Sequence, residues 1–163
     1  MAENNNTDTT NTYTDAERKA HIENLVRTNL PNSPIYAFLL SEVRIISATK
    51  GKFRARLTLT RRHMNSGGGL HGAVSAAVVD WAGGMAVASY DLRPRTGVSV
   101  DIHVRYLSSA KEGDEIEIEG QADRVGASVA FTQVIISTVN EDGDVGRVVA
   151  SGTHTKYVRQ RQG

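Results

Sequence analysis

The sequence predicts an α+β fold in which a curved antiparallel β-sheet wraps around one long central helix. Residues 72–90, GAVSAAVVDWAGGMAVASY, are apolar on nearly every side, which is typical of a helix buried in a protein core. Four segments of alternating apolar and polar residues follow, separated by turn signals, which is typical of antiparallel strands. A sheet that curves around the helix is the economical way to bury it.

The N-terminal part of the chain predicts a polar tail and two short helices. Residues 1–13 are polar and rich in Asn and Thr, and we expect disorder because they bury too little apolar surface to offset the entropy of ordering. Thr14 and Glu17 have the spacing of a capping box and predict a helix that ends at Pro31. Pro34 predicts the first position of a second helix.

Six strands are predicted, two before the long helix and four after it. They cover residues 43–48, 54–59, 98–106, 115–119, 129–139 and 145–157. Gly51 lies in the turn between the first two strands, and Gly143 marks a hairpin before the last one. Strict alternation in the third strand places Ser99 on the same face as Asp101, opposite the valines. That face is either part of a site or simply solvated.

Length and composition indicate an ordinary globular protein with one folded domain. The chain has 163 residues, of which 39% are hydrophobic and 23% are charged. We expect a single domain over residues 14–158, followed by a short tail over 159–163. The net charge of +1 gives no reason to expect a nucleic-acid partner. The absence of cysteine excludes a disulfide framework, a thiolate zinc site and a cysteine nucleophile.

Targeting and membrane signals are not evident in the sequence, so we expect a cytoplasmic protein and leave a mitochondrial location open. The N-terminus lacks both the apolar run of a secretory signal and the basic character of a mitochondrial presequence. We also expect no membrane span, on the ground that no apolar segment is long enough to cross a bilayer.

Two features of the segment 65–80 are physically unusual. Asp80 lies between Val79 and Trp81 on a helix nearly free of charge, and burying an unpaired carboxylate is costly. It is therefore either a functional group or a carboxylate satisfied by a neighbouring hydroxyl or arginine. The second feature is the glycine-rich approach to Gly72, where the first N–H groups of the helix lack intrahelical partners. This glycine-rich segment is either an oxyanion-binding site or a plain flexible turn.

Nucleotide and metal sites are disfavoured by the spacing of the glycines and histidines. Gly67, Gly69 and Gly72 match a dinucleotide-binding fingerprint, but residues 61–66 separate them from the preceding strand, and antiparallel hairpins follow. No lysine follows the glycines as in a phosphate-binding loop, and the sequence has no Gly-x-Ser-x-Gly nucleophile elbow. The five histidines lack metal-ligand spacing, so we expect neither a metal nor a cofactor.

Several short sequence blocks occur in this chain, and together in this order they are far more specific for a protein family than any single block. The blocks are Asn65, Gly69-Leu70-His71-Gly72-Ala73, Asp80, Gly97-Val98-Ser99-Val100-Asp101 and Gly152-Thr153-His154-Thr155-Lys156. Over about residues 34–157 the chain resembles the hotdog-fold acyl-coenzyme A thioesterases of the PaaI type. Within them it most resembles the small acyl-CoA thioesterases called thioesterase superfamily member two. The resemblance implies a hotdog fold and hydrolysis of acyl-CoA to a free carboxylic acid and coenzyme A.

The resemblance also implies catalytic roles for five residues. The Gly72 N–H would polarise the thioester carbonyl, and Asp80 would act as the general base or the nucleophile. Asn65 and Ser99 would hold the water or Asp80 in place, and His71 would order the start of the helix. The second glycine of the family's His-Gly-Gly is an alanine here, which affects close approach at that position but not the role of Gly72.

The spacing of Gly72 and Asp80 predicts an oligomer. Eight residues on one helix span about 12 Å, whereas a reacting carbonyl must lie about 3 Å from both its donor and its attacking group. If both residues act on one substrate, Gly72 of one subunit must face Asp80 of another. A two-fold homodimer would contain two such sites. The resemblance implies the same dimer, and in many members a further pairing of dimers into tetramers.

Two other functions on the same fold stay open. A hydratase or dehydratase of acyl thioesters would need a histidine paired with the carboxylate, and His71 is the one candidate near Asp80 in the sequence. A non-catalytic acyl-CoA-binding regulator would usually carry a DNA-binding segment, and the short N-terminal tail offers none. Thioester hydrolysis is therefore the preferred interpretation.

Two properties of the substrate are left open by the sequence. The resemblance implies aliphatic acyl chains of medium to long length, and aromatic acyl groups stay open. The phosphates of coenzyme A should meet basic residues at the mouth of the site. Candidates, each of which is also explained as a solvated surface charge, are Arg61, Arg62, Arg93, Arg95, Lys156 and Arg159.

Overall fold

Two short helices precede the sheet in the computed structural model, which describes residues 13–159. Helix α1 spans Asp15–Asn29, α2 spans Pro34–Leu40 and α3 spans Gly72–Asp91. The strands are β1 (Arg44–Thr49), β2 (Lys52–Thr58), β3 (Val98–Tyr106), β4 (Glu115–Val125), β5 (Val129–Val139) and β6 (Val145–Tyr157). The tails predicted over 1–13 and 159–163 lie outside the described residues, apart from their innermost positions.

Thr14 and Pro34 start the first two helices, as the sequence predicts. The Thr14 hydroxyl accepts the Glu17 N–H at 3.2 Å, and the Glu17 carboxylate accepts the Thr14 N–H at 2.7 Å, which completes the capping box. Helix α1 ends at Asn29, and Pro31 lies in a short 3-10 turn that leads to α2. Helix α2 begins with Pro34, at a position where the missing N–H has no intrahelical partner to lose.

The six strands form one antiparallel sheet in the order β1-β2-β4-β5-β6-β3. Helix α3 packs against this sheet, and its residues Val79, Ala82 and Ala86 are fully buried. The rings of Phe53 on β2 and Trp81 on α3 meet edge to face with centroids 5.5 Å apart. The predicted α+β architecture, one long central helix against an antiparallel sheet, is thus confirmed.

Gly83 lets β5 and β6 approach α3 closely. A Cβ atom at Gly83 would lie 2.6 Å from His154 Nδ1 and 2.7 Å from Thr132 Oγ1, which is closer than any real side chain could tolerate. Helix α3 runs without interruption through this position. The close approach places the His154 ring against α3, about one turn from Asp80.

Helix α3 also bears on the expectation that no segment could span a membrane. The helix has 20 residues, and its most apolar 18-residue stretch has a mean hydropathy of 1.2, so by length and composition alone it could cross a bilayer. The sequence-based expectation that no apolar segment is long enough to do so was therefore wrong. Of the most apolar part of the helix, however, 72% is buried inside the fold. That burial is what the core helix of a sheet-wrapped fold requires.

A β-bulge near the start of β3 overturns the predicted orientation of Ser99. Ser99 pairs with Lys156 and Asp101 pairs with Thr155, so one extra residue is inserted in β3 between the two pairs. Because side chains alternate between faces, the insertion moves Ser99 to the face opposite Asp101. Ser99 therefore points toward α3, and the prediction that it shares a face with Asp101 was wrong.

Candidate active site

Asp80 lies on α3 where the helix meets strand β3 and helix α2. The Ser99 hydroxyl donates a hydrogen bond to Asp80 Oδ1 at 2.8 Å, and the Tyr36 hydroxyl donates one to Asp80 Oδ2. The Asp80 side chain is still 31% exposed. The two interpretations of this residue are therefore compatible, because hydroxyl groups satisfy the carboxylate and part of it stays accessible.

The surroundings of Asp80 keep its carboxylate ionised at neutral pH. Burial by itself would raise the pKa of Asp80. The hydrogen bonds from Tyr36 and Ser99, together with the charge of Lys156 and a smaller electrostatic contribution from His154, outweigh burial, so the pKa of Asp80 lies below its ordinary value of 3.8. An ionised carboxylate of this kind can accept a proton from water or attack a carbonyl carbon.

His154 and Lys156 of β6 complete the surroundings of Asp80. His154 Nε2 lies 3.0 Å from Ser99 Oγ and 3.4 Å from Asp80 Oδ1. Burial, with a smaller contribution from Lys156, lowers the pKa of His154, so the ring is neutral at neutral pH. Burial also lowers the pKa of Lys156, against the opposing influence of Asp80. The sequence indicated no separate role for His154, and it marked Lys156 only as a candidate for the coenzyme A phosphates.

His154, rather than His71, is the histidine beside Asp80. The expectation that His71 would be the one nearby candidate was wrong, because pairing of β3 with β6 brings His154 to the carboxylate from a distant part of the chain. His154 is only 1% exposed, and its Nε2 is engaged with Ser99. A histidine without access to the cavity cannot exchange a proton with a substrate, so this pairing does not provide the acid or base that a dehydratase needs.

A cavity of about 400 Å³ opens beside Asp80. It has the size of a small-molecule site, which typically encloses about 300–1,000 Å³. The apolar part of its lining is formed by Leu25, Leu30, Trp81, Met85 and Val98. The polar part includes Tyr36, Ser99 and Lys156, which surround the carboxylate. The cavity can therefore hold an apolar group with its polar end at Asp80.

Gly72 is the first residue of α3, and its N–H group is unoccupied. His71 precedes it as the N-cap, where the His71 backbone carbonyl accepts the N–H groups of Val74 and Ser75. His71 Nδ1 accepts the Ala73 N–H at 3.0 Å. Among residues 13–159, the Gly72 N–H meets no hydrogen-bond acceptor. A free N–H at the positive end of a helix can stabilise a developing oxyanion.

Asn65 organises the glycine-rich loop that leads to α3. Its side-chain oxygen accepts the Gly67 N–H at 2.8 Å and the Gly69 N–H at 3.2 Å. Its backbone N–H donates to the Gly69 carbonyl at 2.8 Å. The side-chain amide nitrogen of Asn65 makes no hydrogen bond within the described part of the chain. One half of the side chain thus shapes the loop, and the other half is available to a ligand.

Within one chain the five predicted site residues form two groups. Asp80 and Ser99 are in contact, whereas Asn65, His71 and Gly72 lie together at the start of α3. The two groups are separated by more than two turns of helix, or about 12 Å. A single chain does not bring both groups to one carbonyl.

Both groups lie along strand β3, which is the edge of the sheet. In the described chain β3 pairs only with β6, and its residues Val100 and Tyr106 are 62% and 60% exposed. Ser99, near one end of β3, contacts Asp80. Tyr106, at the other end, donates a hydrogen bond to the Gly72 carbonyl at 3.3 Å. An exposed apolar edge strand is a surface that another strand can cover.

Two of the basic residues considered for coenzyme A phosphates are engaged elsewhere. Arg93 is buried and forms an ion pair with Asp91 at 2.5 Å. Lys156 is buried beside Asp80, where its charge acts on that carboxylate. No group of three or more His, Cys, Asp or Glu side chains that could hold a metal ion occurs within residues 13–159.

Comparison with known proteins relates this geometry to a family. The family model of the thioesterase superfamily matches residues 67–147. Human acyl-coenzyme A thioesterase 13 is 33% identical over 120 residues, which cover 74% of this chain and 82% of the human protein. The zebrafish thioesterase superfamily member 2 structure has a TM-score of 0.70 at 33% identity and covers 90% of this chain and 99% of its own. The mouse member 2 structure has a TM-score of 0.73 at 28% identity, with coverages of 88% and 98%.

Proposed function

The chain belongs to the thioesterase superfamily, and from this premise we propose that it hydrolyses acyl-coenzyme A to a free carboxylic acid and coenzyme A. One observation supports Asp80 as the centre of the active site. The Asp80 carboxylate is ionised, held by hydroxyl groups at both oxygens, and open to a cavity of about 400 Å³ with an apolar lining. Such a carboxylate is suited to activate water next to an acyl group.

The reaction can proceed with Asp80 as general base. Asp80 takes a proton from water as the water oxygen bonds to the thioester carbon. The carbonyl oxygen becomes an oxyanion, which accepts a hydrogen bond from the Gly72 N–H. The C–S bond then breaks, and the coenzyme A sulfur leaves and takes up the proton from Asp80. In the alternative route a carboxylate oxygen of Asp80 bonds to the thioester carbon, the C–S bond breaks and coenzyme A leaves as its thiolate. Water then hydrolyses the resulting anhydride, which releases the carboxylic acid, restores Asp80 and supplies the proton that the thiolate takes up.

The unpaired edge strand supports a composite site built by two subunits. If two copies pair their β3 strands antiparallel about a two-fold axis, the Tyr106 end of one strand meets the Ser99 end of the other. Gly72 lies at the Tyr106 end and Asp80 at the Ser99 end. This pairing would bring Gly72 of one subunit to Asp80 of the other and cover the exposed apolar residues of β3. It is the arrangement that the helix spacing predicts.

A further pairing of dimers is also proposed. The outer face of the sheet, away from α3, carries exposed apolar side chains, among them Phe131 and Ile135, which are 46% and 40% exposed. Apolar residues gathered on one sheet face favour association with another apolar surface. Light scattering of the purified protein distinguishes a dimer from a tetramer.

The activity itself is tested with a panel of acyl-CoA thioesters and an assay for the released thiol. We expect thiol release with at least one aliphatic or aromatic acyl group, and the panel ranks chain lengths. An extract-derived contaminant is excluded by parallel preparation of an Asp80→Asn variant. If the protein binds acyl-CoA but releases no thiol from any member of the panel, it is a binding protein and the proposal fails.

Ser99→Ala is expected to lower kcat about 10- to 1,000-fold with a smaller change in KM, because the hydroxyl that holds Asp80 Oδ1 is lost. Ser108→Ala is the matched control, since that hydroxyl contacts only the Val148 carbonyl on the surface.

For Asn65, two variants separate the role of the side-chain oxygen from that of the amide nitrogen. Asn65→Asp keeps the oxygen that orders the loop and removes the amide nitrogen, whereas Asn65→Ala removes both. Equal kinetic losses in both would assign the role to the amide nitrogen, and unchanged kcat in both would exclude Asn65 from catalysis.

A further inference from the structure

Tyr36 of α2 makes a contact that the reaction scheme above does not use. Its hydroxyl donates to Asp80 Oδ2, the carboxylate oxygen that Ser99 leaves free. We propose that Tyr36 is a positioning residue that fixes the plane of the Asp80 carboxylate, so that the attacking water meets it in one orientation. This inference rests on the proposed hydrolytic function and extends it to a residue of the N-terminal helices.

The torsional freedom of aspartate explains why two anchors are needed. The last side-chain torsion of aspartate is broad and roughly two-fold, so a single hydrogen bond leaves the carboxylate free to rotate. Ser99 approaches one oxygen from β3, and Tyr36 approaches the other from α2. Donors from two separate elements restrain that rotation. Each ionised oxygen can accept a second hydrogen bond, so an attacking water can still bind.

The Tyr36 ring is itself held in place by the core. It packs against the hydrophobic core and lines the cavity beside Asp80 together with Trp81. Pro34 at the first position of α2 stiffens the start of the helix that carries the ring. A phenylalanine at position 36 would keep these apolar contacts and lose only the hydroxyl. The hydroxyl can therefore be tested separately from the packing.

The groups that face Asp80 come from three elements. Tyr36 projects from α2, Ser99 from β3, and His154 and Lys156 from β6. Burial, followed by the hydrogen bond to Asp80 and the charge of its carboxylate, raises the pKa of Tyr36, so its hydroxyl keeps its proton at neutral pH. Tyr36 is thus a permanent donor, and its removal should raise the pKa of Asp80.

Tyr36→Phe is expected to lower kcat about 10- to 100-fold, the range for loss of a hydrogen bond to a charged group, with KM changed less than about two-fold. The acid limb of the kcat–pH profile should move to higher pH, because an Asp80 with one donor fewer is protonated more readily. Tyr90→Phe is the matched control, since Tyr90 lies at the far end of α3 and its ring contact with Lys50 survives the change. The control should keep the wild-type profile.

Two results would overturn the role of Tyr36. One is a Tyr36→Phe enzyme with wild-type kcat and acid limb. The other is a variant with a lower kcat and a lower melting temperature whose acid limb in the kcat–pH profile has not moved. That result would indicate a structural role alone. If the wild-type protein itself released no thiol from any acyl-CoA of the panel, the proposed function would be refuted instead.

A second measurement leaves Tyr36 in place and needs no activity. In protein labelled with ¹³C-tyrosine, one tyrosine resonance should resist titration at alkaline pH in the wild type. In Asp80→Asn that resonance should titrate nearer to the others, because the carboxylate charge is gone. If all tyrosines in the wild type titrate together, the contact with Asp80 does not persist in solution and the inference fails.

Discussion

Asparagine in place of Asp80 is expected to abolish acyl-CoA hydrolysis while the fold and the subunit association are retained. Asparagine has nearly the shape of aspartate, and its side-chain oxygen can still accept one of the hydrogen bonds from Tyr36 and Ser99. It can neither accept the proton of the attacking water nor attack the thioester carbon. General acid–base catalysis contributes about 10²- to 10⁴-fold, so we expect a loss of kcat in the range of about 10²- to 10⁴-fold.

The Asp80→Asn result is informative because hydrogen bonds from Tyr36 and Ser99 fix the position of the Asp80 carboxylate and keep it ionised. Thiol release under saturating acyl-CoA measures the effect, and circular dichroism with light scattering verifies fold and association. Asp123→Asn is the matched control, since Asp123 is an exposed carboxylate on β4 that contacts glutamine side chains. Near-wild-type turnover by Asp80→Asn would remove Asp80 from the mechanism and leave the fold assignment standing.

The architecture was predictable because its signals are local. An all-round apolar run is typical of a buried helix, and the sheet that buries it follows as period-two segments with glycine turns. The predicted helix over 72–90 and the observed α3, Gly72–Asp91, differ by one residue. Strand β4 was predicted too short, as 115–119 instead of Glu115–Val125, because apolar alternation fades at Ala122 while pairing with β5 continues.

The surroundings of Asp80 were less predictable because they are assembled from distant parts of the chain. Tyr36 lies 44 residues before Asp80, and nothing in the local pattern of α2 marks it as a contact of α3. The face of Ser99 depends on a β-bulge, which only the pairing of β3 with β6 reveals. The period-two spacing of Gly152, His154 and Lys156 did carry a signal, since residues two apart share one face of a strand. That this face of β6 is turned toward α3 is visible only in the structure.

Proline in place of Gly72 is expected to lower kcat about 10²- to 10³-fold, the typical cost of removing one oxyanion donor. Proline deletes the N–H and is well tolerated at the first position of a helix, where that N–H has no intrahelical partner. The preceding residue His71 has φ −69° and ψ 132°, the extended conformation that a following proline requires. The substitution therefore removes the proposed donor with little demand on the backbone.

Gly72→Ala is the control that isolates the N–H. Both variants add a Cβ atom, which would lie 3.3 Å from the Tyr106 ring, but only proline removes the donor. The difference in kcat between the two variants measures the contribution of the hydrogen bond to the oxyanion. Equal rates in Gly72→Pro and Gly72→Ala would mean that the helix start does not polarise the carbonyl.

Mixed dimers of Gly72→Pro and Asp80→Asn chains decide whether the site is shared between subunits. If Gly72 of one subunit serves Asp80 of the other, one site of each mixed dimer combines both substitutions and the other site combines none. Differently tagged chains, co-expressed and purified through both tags, should then recover about half of the wild-type rate per dimer. If each chain supplied its own Gly72 and Asp80, both sites would be damaged and the mixed dimer would be no more active than the better parent. Restored turnover would thus assign the Gly72 donor and the Asp80 carboxylate to opposite sides of the β3 interface.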